Sequence, residues 1–340
     1  MERTIIIAEI GVNHNGSMEL AEELIRTAAQ CGADYAKFQS FKTKNLVQKG
    51  AKKANYQIKN SSNHQEDQYQ MLKSLELQEK QYEFLQNCCS TYGIKFLSSP
   101  FDVESLLDLE KLNLDLIKIP SGEITNYPLL KKIGSLKRKT ILSTGASNLE
   151  EIRNAVNVLI ESGLTISLLT ILHCNTEYPT PMKDVNLLAM VNIGKELGVN
   201  FGYSDHTLGI EVPIAAVALG AKVIEKHITL DRNLKGPDHS ASIEPQELES
   251  MIQSIRNIEL AIQGDGIKVA SESEIQNRTI VRKSICLNKA LKQNYKLKES
   301  DLTTLRPGNG ICPMEWKKII GKTLKNDFPK NHQLQYSDLL

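Results

Sequence analysis

Eight short apolar runs recur at nearly even intervals over the first 230 or so residues, and each closes on polar or charged residues at its C-terminal tip. In order they span residues 4–11 (TIIIAEIG), 33–39 (ADYAKFQ), 94–100 (IKFLSSP), 116–122 (LIKIPSG), 140–145 (TILSTG), 171–175 (ILHCN), 200–206 (NFGYSDH) and 222–227 (KVIEKH). Each has the length of a strand. The segments between them, such as residues 18–30, 79–91, 149–162 and 187–197, place apolar side chains three and four apart, the spacing of amphipathic helices. Strand and helix therefore alternate, which predicts an α/β fold with a parallel sheet. Eight even units predict a (β/α)8 TIM barrel rather than an open doubly wound sheet, and no G-x-G-x-x-G fingerprint argues for the latter. In such a barrel the strand tips share one rim, where the chemistry sits.

The tips carry Glu9; Lys37 and Gln39; Ser98 and Ser99; Lys118, Ser121 and Glu123; Ser143 and Thr144; His173 and Asn175; Ser204, Asp205 and His206; Glu225 and His227. One polar residue at a strand end is commonplace, but so many converging on one rim would be expensive to desolvate unless they bind something. Lys37 and Lys118, with the hydroxyls of Ser99, Ser121, Ser143 and Ser204, offer charges and donors for a phosphate, and Asn175 is ranged with the substrate contacts. His206 and His227 close neighbouring strands, so their imidazoles can share a divalent ion such as Mn²⁺ or Mg²⁺ with positions left open for substrate or water. The turn at residues 13–16 (NHNG) is expected to line the site, and His173 and Cys174 to pack inside the barrel. His64 and His239 receive no role.

Charge and cysteine usage narrow the setting. A net charge of +1 from 41 basic and 40 acidic residues gives no field for nucleic acid or an anionic membrane. Six scattered cysteines suggest no disulfide framework, and no apolar stretch approaches the ~20 residues that span a bilayer, so a soluble, cytoplasmic protein is expected. The barrel is expected over residues 1–265, followed by a linker at 266–280. A small β-rich domain is then expected at 281–340, with strand-like pieces at 279–287 and 302–305 and a core drawn from Ile280, Ile285, Leu287, Leu305, Ile311, Trp316 and Ile320.

Nine ordered motifs carry a resemblance that covers essentially the whole chain: AEIGVNHNG from Ala8, KFQSFK from Lys37, SSPFD from Ser98, KIPSGEITN from Lys118, HCNTEYPTP from His173, YSDHT from Tyr203, IEKHITLD from Ile224, GPDHSASIEP from Gly236 and RPGNGICPMEW from Arg306. Together they resemble bacterial sialic acid synthases, and the C-terminal part is similar to that family's antifreeze-like (SAF, β-clip) domain. The resemblance implies condensation of phosphoenolpyruvate with N-acetylmannosamine and water to give N-acetylneuraminate and phosphate. It implies that Lys37, Ser99, Lys118, Ser121 and Ser143 hold phosphoenolpyruvate, with Ser204 close by. His206 and His227 would bind a divalent metal, manganese first and magnesium or cobalt as alternatives. Gln39, Tyr178, Glu123 and Asp238 would contact the sugar, and Glu9 would stand near the reacting carbons. Arg306 would reach the N-acyl group of sugar bound in a partner's barrel, which implies a homodimer with swapped C-terminal domains.

On this reading the ion polarises the sugar aldehyde for attack by C3 of phosphoenolpyruvate, while Glu9 or Glu123 stabilises the cationic carbon and directs water to it. A 6-deoxy diacetamido sugar, giving legionaminic acid, is the alternative substrate. Two other classes compete: a Schiff-base aldolase built on Lys118 or Lys226, and a non-catalytic carbohydrate-binding protein.

Overall fold

The structure, a computed structural model, describes residues 3–54, 57–58 and 66–340. The chain divides into two compact units, residues 1–263 and 264–340.

The first unit is the expected (β/α)8 barrel. Its strands are β1 (Ile5–Gly11), β2 (Tyr35–Ser40), β3 (Lys95–Pro100), β4 (Leu116–Ile119), β5 (Lys139–Ser143), β6 (Leu169–Cys174), β7 (Asn200–Asp205) and β8 (Val223–His227). They form one sheet in the order β3-β2-β1-β8-β7-β6-β5-β4, paired in parallel, and β3 and β4 at the two ends of that order come into contact as the sheet curls round. The helices Met18–Gln30 and Leu187–Leu197 fall where the apolar spacing places them. Their boundaries are local chemistry: Ser17 caps the first by accepting from the Leu20 N–H, and Asn148 with Glu151 forms a capping box at the start of Leu149–Glu161. The fourth run stops being a strand at Ile119. Pro120 lacks the N–H a ladder needs, and the chain turns there into a 3₁₀ helix over Ser121–Glu123.

Side-chain alternation along the strands orders the barrel interior into layers. Ile7, Tyr35, Leu97, Leu116, Ile141, Leu172 and Val223, one from each of seven strands, form the inner apolar floor. The eighth strand supplies Gly202, where a Cβ would lie 2.2 Å from the Val223 carbonyl oxygen and 2.8 Å from Leu172, so this layer has room only for glycine. Two residues further along each strand the side chains point the same way again, about 7 Å higher. There the layer reads Glu9, Lys37, Ser99, Lys118, Ser143, Cys174, Ser204 and Glu225. The larger apolar clusters fill the space between sheet and surrounding helices.

The second unit opens with a helix, Glu272–Val281, capped by Ser271 and Glu274 within the stretch expected to be a linker. Residues 279–281 are therefore helical rather than strand-like, and β9 begins at Ser284. β9 (Ser284–Leu287) and β10 (Leu302–Leu305) pair antiparallel. Ile285, Leu287, Leu291, Leu297, Leu302, Ile311, Ile319, Leu324, Leu334 and Leu339 form the core, with Trp316 partly buried against it. Three expected core residues lie outside it: Ile280 is 65% exposed on the helix, Leu305 38% at the strand's end, and Ile320 37%, because its neighbour Ile319 takes the inward place. Among the described residues no helix is long and apolar enough to cross a membrane.

Candidate active site

The polar layer above the apolar floor is a cluster of buried charge. Lys37 Nζ stands 2.7 Å from Glu9 Oε2 and 3.6 Å from Glu225 Oε2, and it donates to Ser99 Oγ at 3.1 Å. Lys118 Nζ donates to Ser143 Oγ at 2.8 Å and lies 3.4 Å from Glu225 Oε1, which also accepts from Ser204 Oγ at 2.8 Å. All of these side chains are buried. Two lysines are thus held apart and aimed by one central carboxylate, Glu225. Burial by itself opposes the charge on Glu225, but Lys118 and Lys37 overcome it and hold the carboxyl at about 2. Burial lowers Lys118, with Lys37 adding repulsion, whereas Glu225 and Glu9 outweigh burial at Lys37 and raise it. Glu9 is pushed up, first by burial and then by Glu225, against the pull of Lys37.

Glu225 stands at the eighth strand tip but is not among the residues to which the sequence assigns a task. The signal was available: it lies two residues before His227 on the same face of β8, as Lys37 lies two before Gln39. The same alternation turns Lys226 to the opposite face, where it pairs with Asp205 at 2.5 Å and donates to the Thr207 carbonyl at 2.6 Å.

The next layer up holds the imidazoles. The His206 and His227 ring centres are 5.4 Å apart, and Tyr178 stacks on His206 at 4.0 Å. His206 Nδ1 donates to the Asn175 carbonyl at 2.5 Å, which leaves Nε2 for another partner. His227 Nδ1 is buried without a hydrogen-bond partner among the described residues, with Asp238 Oδ2 4.0 Å away. Burial lowers both imidazoles, His206 to about 4 and His227 well below its ordinary value, so both are neutral. Neutral imidazoles with an unspent nitrogen suit a metal ion. Among the described residues no group of three or more His, Cys, Asp or Glu is arranged to hold one. Any ion here would take its remaining ligands from water or substrate. Asp238 is pushed up to about 7, by burial and then by Glu9. Gln39 donates to Glu9 Oε1 at 3.2 Å.

One cavity of about 630 Å³ joins these layers, and Glu9, Lys37, Gln39, Ser99, Lys118, Ser121, Ser143, Tyr178, Ser204, Glu225, His206, His227 and Asp238 all line it. Three of the expected site residues do not form its wall. Glu123 is buried beside it, accepting from Asn126 Nδ2 at 2.6 Å, and burial raises its carboxyl. Asn175 supplies the carbonyl that orients His206, and its side chain accepts from the Glu177 N–H at 2.7 Å. Arg306 lies exposed in the second unit.

The turn at 13–16 does not line the cavity either. Asn13 instead donates to the Ile228 carbonyl at 2.8 Å, pinning the chain beyond β8. Cys174 is buried, lines the cavity and meets Ser121 Oγ at 3.2 Å; burial raises its thiol, so it stays protonated. His173 packs as expected, its Nε2 2.9 Å from the Val185 carbonyl oxygen. His239 meets Thr229 Oγ1 at 2.7 Å, and His64 lies outside the described residues.

The chain is similar to known proteins. Residues 24–268 match the NeuB family and residues 282–340 a SAF domain. An N,N′-diacetyllegionaminic acid synthase of Campylobacter jejuni subsp. jejuni serotype O:2 is 51% identical, over 98% of this chain and 100% of its own. A protein of the same name from Legionella pneumophila subsp. pneumophila is 46% identical, over 94% of this chain and 90% of its own. The crystal structure of an N-acetylneuraminic acid (sialic acid) synthetase from Leptospira borgpetersenii serovar Hardjo-bovis, in complex with citrate, is 33% identical with a TM-score of 0.71, covering 82% of this chain and 92% of that one.

Proposed function

Because this chain belongs to the NeuB family and ends in a SAF domain, we propose that it joins phosphoenolpyruvate to an open-chain 6-deoxy diacetamido sugar, making a legionaminic-type acid and releasing phosphate. One observation carries the reaction class: two buried lysines fixed around Glu225 lie in one cavity with a pair of neutral histidines. The relatives carry the choice of sugar, since those at 51% and 46% identity bear the legionaminic name and the solved sialic acid synthetase stands at 33%. They favour the alternative substrate of the sequence analysis over N-acetylmannosamine.

Lys37 and Lys118 with the serine hydroxyls would receive the phosphate and carboxylate of phosphoenolpyruvate, and burial makes those contacts strong. His206 and His227 would hold a divalent ion, Mn²⁺ first, which supplies Lewis-acid polarisation of the sugar aldehyde oxygen. C3 of phosphoenolpyruvate bonds to the aldehyde carbon, and that oxygen takes a proton. Glu9, in the cavity wall with a carboxyl disposed to accept a proton, is placed to draw one from the water that adds to C2. The C2–O bond to phosphate then breaks, leaving the ketone and free phosphate. Gln39, Tyr178 and Asp238 position the sugar, with Glu123 behind them. A homodimer in which Arg306 completes the partner's site extends the same reading, in a cytoplasmic setting that suits its six unpaired cysteines.

The test is kcat/KM with phosphoenolpyruvate for 2,4-diacetamido-2,4,6-trideoxymannose against N-acetylmannosamine, with EDTA and with Mn²⁺ restored. Preference for the first sugar, loss with EDTA and recovery with Mn²⁺ are expected. A preference for N-acetylmannosamine would return the substrate to the neuraminate reading, and turnover of pyruvate in place of phosphoenolpyruvate would refute the class. For Arg306, mixing inactive His206→Ala and Arg306→Ala chains should regain activity through mixed dimers.

A further inference from the structure

The cavity has a third level that neither the phosphate cradle nor the histidines use. Successive inward positions of β2 and the residue beyond it read Lys37, Gln39 and Phe41, so Phe41 lies above the histidine level. Around it the cavity wall is mostly apolar: Leu46 and Val47 follow β2, and Met71, Leu72 and Leu75 come from one face of the helix Gln68–Leu75, with the amides of Gln68 on that face and of Gln57 the polar exceptions. Phe41, Met71 and Leu75 are buried in one cluster with Leu46 and Leu72 packed against it. This lobe is continuous with the charged floor, through a single cavity.

We propose that this lobe is a specificity subsite for the far end of the sugar, taking the methyl of a 6-deoxy carbon and the methyl of an acylamino group on C4. The inference rests on the reaction proposed above. With phosphoenolpyruvate at the lysine level and the aldehyde carbon at the histidines, carbons 4 to 6 of an extended sugar rise to the level of Phe41. The two sugars share the C5 hydroxyl and differ at C4 and C6, where hydroxyl groups would be desolvated against Leu72, Met71 and Leu75, whose side chains return no hydrogen bond. Methyl groups in the same place bury apolar surface instead. The lobe therefore selects against a sugar carrying free hydroxyls at C4 and C6 and for one whose tail is deoxygenated and acylated.

The test places an amide in the lobe. Leu72 is half-buried at the cavity face, so Leu72→Gln keeps the helix and changes the wall's polarity. It should lower kcat/KM for 2,4-diacetamido-2,4,6-trideoxymannose about tenfold or more. KM for phosphoenolpyruvate should stay within about twofold, with N-acetylmannosamine turnover unchanged or raised. Leu46→Gln, on the segment after β2 and also half-buried, should shift the ratio of the two sugars in the same direction, and it decides the matter if the first variant melts early. If wild-type protein prefers the diacetamido sugar and both variants leave the ratio unchanged, the subsite is wrong and the reaction stands. If wild-type protein turns over neither sugar, the reaction itself is wrong and the subsite falls with it.

Discussion

Glu225 Oε1 stands 3.4 Å from Lys118 Nζ, and its other oxygen stands 3.6 Å from Lys37 Nζ, so one buried carboxylate is the shared counter-ion of two lysines. It offsets part of the lysines' charge, with Glu9 beside Lys37, before any anion arrives. Removing one member of such a buried group leaves charge without compensation, which typically costs about 3–5 kcal/mol.

Glu225→Gln keeps the shape and an acceptor for Ser204 but leaves Lys118 without a counter-ion and Lys37 with Glu9 alone. The melting temperature of the free variant should fall well below wild type. Phosphoenolpyruvate should raise it by more than it raises wild type, because the substrate's charges then replace the missing one. Thermal melts with and without phosphoenolpyruvate measure this, and an equal gain in both proteins would contradict the counter-ion role.

Gly11 closes β1 at φ +56°, and a Cβ there would lie 3.1 Å from Glu9 Oε1, 3.2 Å from the His227 ring and 3.3 Å from Gln39 Nε2. Backbone strain and crowding act together in Gly11→Ala. A stability loss of about 1–3 kcal/mol is expected, with a larger fractional loss of kcat, read from denaturant melts beside steady-state kinetics. A folded variant with full kcat would show that these three side chains have slack.

Burial raises the Glu123 carboxyl, although the Asn126 amide opposes it. If the carboxylate form serves the sugar, kcat/KM should begin to fall at a pH above the ordinary glutamate value as acid protonates it. Glu123→Gln should have lower activity at neutral pH and a shallower acid limb, the remainder belonging to Glu9 and Asp238. An unchanged profile in the variant would remove Glu123 from the titrating set.

Lys226 is held outside the barrel interior by Asp205 and the Thr207 carbonyl. Lys226→Met should destabilise the fold by about 3–5 kcal/mol, because Asp205 loses its partner in a buried place. Borohydride added with pyruvate should leave the protein's mass unchanged. A pyruvyl adduct on any lysine would revive the Schiff-base alternative.

The barrel was legible because its repeat is local: each strand needs its apolar run and each helix its spacing and cap, and residues 18–30 and 187–197 fall where that pattern puts them. The phosphate and histidine layers were legible for a related reason, since strand tips in a barrel share a rim. Glu225 was visible as a tip but not as a hub, because its partners Lys37, Lys118 and Ser204 come from three other strands. The helix Glu272–Val281 was missed although its capping box is written in Ser271 and Glu274.

The sequence by itself determined the eightfold alternation, the residue types on the rim and the family, all of which depend on neighbours along the chain or on motif order. The tertiary structure decided which side chains share a layer. It turned Lys226 outward and Glu225 inward by the two-residue alternation of β8, drew Asn175 into orienting His206 through its backbone, and closed the cavity with an apolar lobe from the helix Gln68–Leu75. Those are contacts between distant segments. Their distances follow from how the barrel closes, and no local pattern encodes that.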